Sequence, residues 1–199
     1  MIIREDLEKW NSVNDARKLV ETYFNDKNTY PDKPFYSRKR GIYKDIPEEY
    51  HSLVVLAEHI KDAYKLRLLP SNNQGADGEI RLTNQDLLSI QITNSHENKK
   101  SHLKRKTIDK KGVYCDNKAV AIEKIIKERL RRIWTAIEKK NFKDHSGTDI
   151  LLIQEESIAW SSELKVRLKN KLKTKILKNS PSQFKAIYIN FYETPFRLY

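Results

Sequence analysis

A single cysteine, Cys115, stands in 199 residues, so neither an internal disulfide nor a cysteine-rich zinc site can be built. Such a chain suits a reducing compartment, and a cytoplasmic location is expected. Five glycines and six prolines are few, and no low-complexity tract or repeat period is visible. No apolar run approaches the length that spans a bilayer, and the opening MIIREDLEKW is charged throughout, without the apolar core of a signal peptide. No membrane partner is expected. A Walker loop, a dinucleotide glycine fingerprint and a nucleophile elbow are all missing. The histidines, His51, His59, His96, His102 and His145, are scattered, and none forms the HExxH pattern of a zinc peptidase.

What the chain has in excess is positive charge. Thirty-nine Lys and Arg against 27 Asp and Glu leave +12, a balance that suits acidic partners such as nucleic acid. Its length allows one substantial core, with residues 1–46 as an N-terminal helix and basic aromatic arm and residues 47–199 as the main body.

Apolar residues at steps of three and four predict a helix from Glu5 to Phe24, through Leu7, Trp10, Val13, Ala16, Val20 and Tyr23. The arm that follows interleaves Tyr30, Phe35, Tyr36 and Tyr43 with Arg38, Lys39 and Arg40, a composition that either stacks on bases and neutralises phosphates or pins the arm to the core. Pro47, with two glutamates behind it, has the chemistry of a helix start, and Tyr50 to Tyr64 keep helical spacing. KLRLLP begins a strand, and GADGEIRLTNQDLLSIQIT reads as two more. In the last of these Leu88, Ile90 and Ile92 alternate with Ser89, Gln91 and Thr93, which puts the polar trio on one face. Asp116 suits the N-cap of a long helix through Ile137, DILLIQ suits a buried strand, Ser161 to Asn179 a lysine-rich amphipathic helix, and FKAIYINFY a strand that PFRLY extends with a short edge. This order predicts an α/β fold, a central mixed β-sheet flanked by helices.

A helix with a glutamate, a β-meander with Asp77 early in its second strand and a polar pair at Gln91 and Thr93 on its third, then a long helix and a further strand, together resemble the PD-(D/E)XK nuclease superfamily over about Pro47 to Ile153. The resemblance implies a restriction-endonuclease-like core carrying an N-terminal helical extension. It assigns Asp77 to the metal-binding aspartate and Gln91, 91 − 77 = 14 residues on, to the second acidic position. Thr93 falls at the lysine position, and Glu58, with Glu49 as second choice, is the helix carboxylate. The implied cofactor is Mg²⁺ or Mn²⁺.

Phosphodiester cleavage uses such a cation to polarise the phosphate and activate water, and Mg²⁺ takes hard oxygen ligands with one or two carboxylates. Asp77 supplies one charge and Gln91 a neutral oxygen, with Glu79 or Glu58 as sources of a second charge. Threonine cannot supply the positive charge of lysine, so Arg81, Lys99 or Lys100 is expected to reach that place. Lys99, Lys100, Lys104, Arg105 and Lys106 follow the site and, with the arm cations, are expected to hold a DNA or RNA backbone. The alternative is an inactive nuclease-fold module that binds nucleic acid or protein, such as a subunit of a defence or toxin-type assembly. A homodimer or a protein partner stays open.

Overall fold

The computed structural model describes residues 1–30, 41–70, 75–95, 122–143, 145, 147–155, 162–178, 183–191 and 194–199. A seven-stranded mixed sheet, flanked by helices on both faces, runs through the molecule as α/β architecture. Its strands are β1 (Asn11–Ser12), β2 (Ala63–Leu68), β3 (Gly78–Leu82), β4 (Leu87–Asn94), β5 (Ile150–Gln154), β6 (Ala186–Phe191) and β7 (Thr194–Arg197). They lie side by side in chain order, antiparallel from β1 to β4, parallel from β4 to β6, and antiparallel at β7.

The first expected helix is two, α1 (Arg4–Glu8) and α2 (Val13–Asn25), parted by β1. Tertiary contacts override the helical spacing there. Asn11 and Ser12 pair with Leu66 and Lys65 of β2, and the Ser12 hydroxyl accepts the Asp15 N–H as the N-cap of α2. Trp10, freed from the helix, lies under two guanidinium groups, Arg67 at 4.6 Å and Arg81 at 4.3 Å from its ring centre. The N-terminal segment therefore belongs to the main core: Leu7, Ala16, Val20 and Tyr23 join one cluster with Tyr50, Leu53 and Leu56. Tyr30 and Tyr43 pack against Tyr23 at 5.4 and 6.2 Å, while Phe35 and Tyr36 lie outside the described residues.

Helical structure resumes at α3 (Ile42–Asp45), earlier than Pro47, passes through a π-turn (Ile46–Tyr50) and continues as α4 (His51–His59). Pro47 has no N–H to give the preceding turn, and the His51 N–H reaches back five residues to Ile46 O. The second half adds α5 (Ile122–Asn141) and α6 (Ser162–Lys178). Each links a parallel pair of strands, and successive crossovers in one direction lay both helices on the same face.

The continuous apolar run of β5 follows from this layering. Ile150 and Leu152 enter the cluster under α2 and α4, whereas Leu151 and Ile153 enter the cluster under α5 and α6 with Leu168, Leu172 and Ile176. A strand covered on both faces has no polar side to show. No helix among the described residues is long and apolar enough to cross a membrane.

Candidate functional site

Asp77 stands at the threshold of β3, its backbone held on both sides. Its N–H donates to Ile90 O at 2.8 Å, and its carbonyl accepts the Leu69 N–H at 2.9 Å. Asp77 and Gly78 are therefore strand backbone rather than a hairpin turn, and Gly78 answers to close packing. A Cβ there would lie 2.7 Å from Leu53 Cδ2 and 3.1 Å from Arg67 O, so α4 approaches β3 only because the position is bare. With Gly78 opposite Ile90, Asp77 reaches the neighbouring strand beside Gln91. Its Oδ2 accepts the Ile92 N–H at 2.7 Å and a hydrogen bond from the buried Gln91 amide, whose nitrogen also faces Ile92 O at 3.3 Å.

The second carboxylate comes from the π-turn. Glu49 lies 3.5 Å from Lys44 Nζ and 4.0 Å from Arg4. Arg4 in turn pairs with Asp45 at 2.9 Å and donates to Leu69 O at 2.7 Å, tying α1 to the end of β2. Burial pushes the Glu49 carboxyl above its usual range, Lys44 and Arg4 oppose the shift, and Asp77 and Asp45 add to it. Burial likewise raises Asp77, against the Ile92 N–H, Lys140, Lys44 and His145.

Lys140, near the end of α5, is the residue that the sequence reading missed. Burial lowers its ammonium pKa, while Asp77 and Glu49 hold it up. Two carboxylates and an ammonium thus act on one another where solvation is poor: Lys140 offsets part of the cost of the Asp77 charge, both carboxylates offset part of the cost of Lys140, and Asp77 adds to the cost of Glu49. Perturbed groups gathered in this way make a candidate functional site. No local motif announces Lys140, because it lies 49 residues from Gln91 on a helix that reads only as amphipathic.

His145 braces the approach to Asp77. Its Nδ1 lies 3.1 Å from Gly75 O, and since a carbonyl only accepts, that nitrogen carries the proton. The Thr148 hydroxyl donates to the same oxygen at 3.0 Å. Thr93, at the place where the resemblance calls for lysine, lines a groove of about 620 Å³ with Asn94 and Ser95 on one side and α5 on the other. Lys140 lines it too, and its charge is the link between the groove and the carboxylates of Asp77 and Glu49, which do not line it. The buried Glu155 beside Ser95 adds no free charge, being bonded to Ser95 and to Arg129 at 2.7 Å.

The structure thus brings Asp77 and Gln91 together and puts Thr93 in the adjoining groove, but Glu58 is occupied elsewhere. Its carboxylate takes the Arg17 guanidinium, with Nε at 2.7 Å, across to α2. Glu49, the second choice for the helix carboxylate, is the one on which the charge of Asp77 acts. Glu79 is paired with Arg67 at 2.7 Å, and Arg81 is spent on Trp10, so neither serves the site. The cations Arg38, Lys39, Arg40, Lys99, Lys100, Lys104, Arg105 and Lys106 lie outside the described residues, as does Asp116.

Among the described residues no three His, Cys, Asp or Glu side chains gather as a metal-holding group. The local donor set is instead Asp77, Glu49, the Gln91 amide oxygen and the Ile92 carbonyl. All are hard oxygens with two carboxylates among them, a composition that fits Mg²⁺ or Mn²⁺. Gln91 turns its nitrogen to Asp77 here, and half a turn of the amide would present the oxygen. No protein-family model matches the chain, and no curated protein or solved structure matches it.

Proposed function

We propose that the chain is a metal-dependent, nuclease-like protein of restriction-endonuclease-like core, hydrolysing phosphodiester bonds in DNA or RNA. The observation that carries the reading is the Asp77 carboxylate bonded to Gln91 and the Ile92 N–H, with Glu49 and Lys140 close enough for the charges to act on one another and Lys140 also lining a cationic groove. The antiparallel run β2 to β4 followed by the parallel crossover through α5 supports the same core.

Bound at these oxygens, Mg²⁺ or Mn²⁺ would polarise the scissile phosphate and lower the pKa of a water. Asp77, Glu49 and Gln91 would hold the ion, and the desolvation that strains the carboxylates favours a cation between them. Lys140 takes the part that Thr93 cannot, an ammonium set against the charge that develops on the phosphate. Hydrolysis adds the water oxygen to phosphorus and releases the leaving oxygen as a hydroxyl, so no further co-reactant is needed.

The test is cleavage of labelled single- and double-stranded DNA and RNA with Mg²⁺ or Mn²⁺, alongside calorimetric metal titration. Wild type should cleave, Asp77→Ala and Glu49→Ala should lose both cleavage and metal binding, and Lys140→Met should keep metal binding while its rate falls about 10²–10³-fold. Metal heats indifferent to Asp77→Ala would sink the assignment. The existing Gln91 to Asp77 hydrogen bond favours a second reading, a retired site that keeps the fold and binds without cutting. Oligonucleotide binding without cleavage or metal heats would select it.

A further inference from the structure

Phe142 is 89 % exposed, the highest value among the described aromatic residues, while the backbone beside it is hydrogen-bonded. Its N–H continues α5 by donating to Glu138 O at 3.0 Å, and the Gln183 amide donates to Lys140 O at 2.5 Å and Lys143 O at 3.1 Å. Those bonds fix the helix end and take up two carbonyls whose partial negative charge would repel an anion. The fold buries little of the ring, which leaves its faces open to a stacking partner.

Phe142 also lines the groove that Thr93 and Lys140 line. The α5 wall carries Arg131, Arg132, Lys139, Lys140 and Lys143 and no carboxylate. Arg132 is bonded to Glu128, whereas among the described residues Arg131, Lys139 and Lys143 make no ion pair. From residue 131 to its end at residue 141 the helix rises about 15 Å, enough to face consecutive phosphates. Cations along a groove with an aromatic face at its mouth form the pattern that binds unpaired strands, because stacking needs a base free of its partner.

We propose that this groove binds single-stranded nucleic acid, with Phe142 stacking on a base and Lys139, Lys143 and Arg131 on the backbone. The inference rests on the nucleic-acid reading above and adds strandedness to it. Duplex leaves the ring without a partner. Charge complementarity chooses this occupant over an apolar protein, since the wall around the ring is cationic.

Binding of a fluorescent oligo-dT strand, the same strand with abasic sites, and a matched duplex, all in EDTA, tests the idea without calling on cleavage. Phe142→Ala should weaken oligo-dT binding about 5- to 150-fold and erase the preference over the abasic strand, while Phe142→Tyr keeps it. The salt slope should survive Phe142→Ala but flatten by about 1.4 in Lys139→Gln/Lys143→Gln. Phe142→Ala binding like wild type, losing equally on strand and duplex, or a wild type that binds no strand would overturn the inference. If the Phe142 signature holds but no metal-dependent cleavage occurs, the nuclease reading falls and this one stands.

Discussion

Asp77→Asn separates what the fold asks of this side chain from what the site asks. Burial raises the Asp77 pKa above 3.8 despite the Ile92 N–H and the ammonium groups nearby, so in the native state the ionised form is net unfavourable. Asparagine keeps an oxygen for the Ile92 N–H, now at 2.7 Å, and its amide can donate to Gln91 once that side chain turns over. The hydrogen bonds persist while the buried charge is gone. Relief of this kind at a functional site is worth about 0.5–2 kcal/mol, which for a chain of this length moves Tm up by about 1–8 °C at pH 7 in EDTA. A carboxyl whose folded pKa is raised contributes stability in full below its unfolded value and loses it as pH rises through the folded one. The advantage of asparagine is therefore largest near neutrality and closes as pH falls toward 3.8. Mg²⁺ at tenfold its Kd adds about 1.4 kcal/mol to the wild type, about 3–6 °C, and nothing to the variant. Differential scanning calorimetry with and without the ion reads both effects. An Asp77→Asn protein that melts below wild type in EDTA would make the carboxylate a structural partner, and equal Mg²⁺ shifts in both would put the cation elsewhere.

Gly78→Ala drives a methyl to 2.7 Å from the buried Leu53, so denaturant unfolding should show a loss of about 1–3 kcal/mol; an unchanged midpoint would mean that α4 slides away freely. Arg129→Met leaves the buried Glu155 carboxylate without its 2.7 Å partner and should cost about 3 kcal/mol, recovered in part at low pH where Glu155 protonates. A stability loss independent of pH would count against that cause. Glu58→Ala removes a partly exposed pair with Arg17 and should cost at most about 1 kcal/mol with cleavage unchanged, whereas Glu49→Ala should abolish cleavage. The reverse pattern in the cleavage assay would restore Glu58 to the site.

Short-range patterns carried much of the architecture. The alternation in β4 is enough to put Ser89, Gln91 and Thr93 on one face, and the unbroken apolar run of β5 implies cover on both sides. Period and polarity are local properties, and a strand cannot satisfy both otherwise. The placing of Asp77 beside Gln91 came from the resemblance, with a spacing that leaves room for one strand, a turn and most of the next, and the two side chains are bonded.

The choice among carboxylates was not local. Glu49 and Glu58 sit nine residues apart in one helical stretch with equal chemistry, and what separates them is Arg17 on α2 and the π-turn that Pro47 starts. Trp10 kept helical spacing with its neighbours, but arginines from β2 and β3 drew it out and ended the helix there. Lys140 shows the limit most clearly. By itself the sequence determined β2 to β7, the faces of β4 and β5 and a long amphipathic α5, because those follow from the order of apolar and charged residues. Only the parallel crossover that lays α5 beside β4 decided that one of its many lysines would lose its water next to Asp77 and Glu49, since desolvation belongs to the packed chain and to no segment of it.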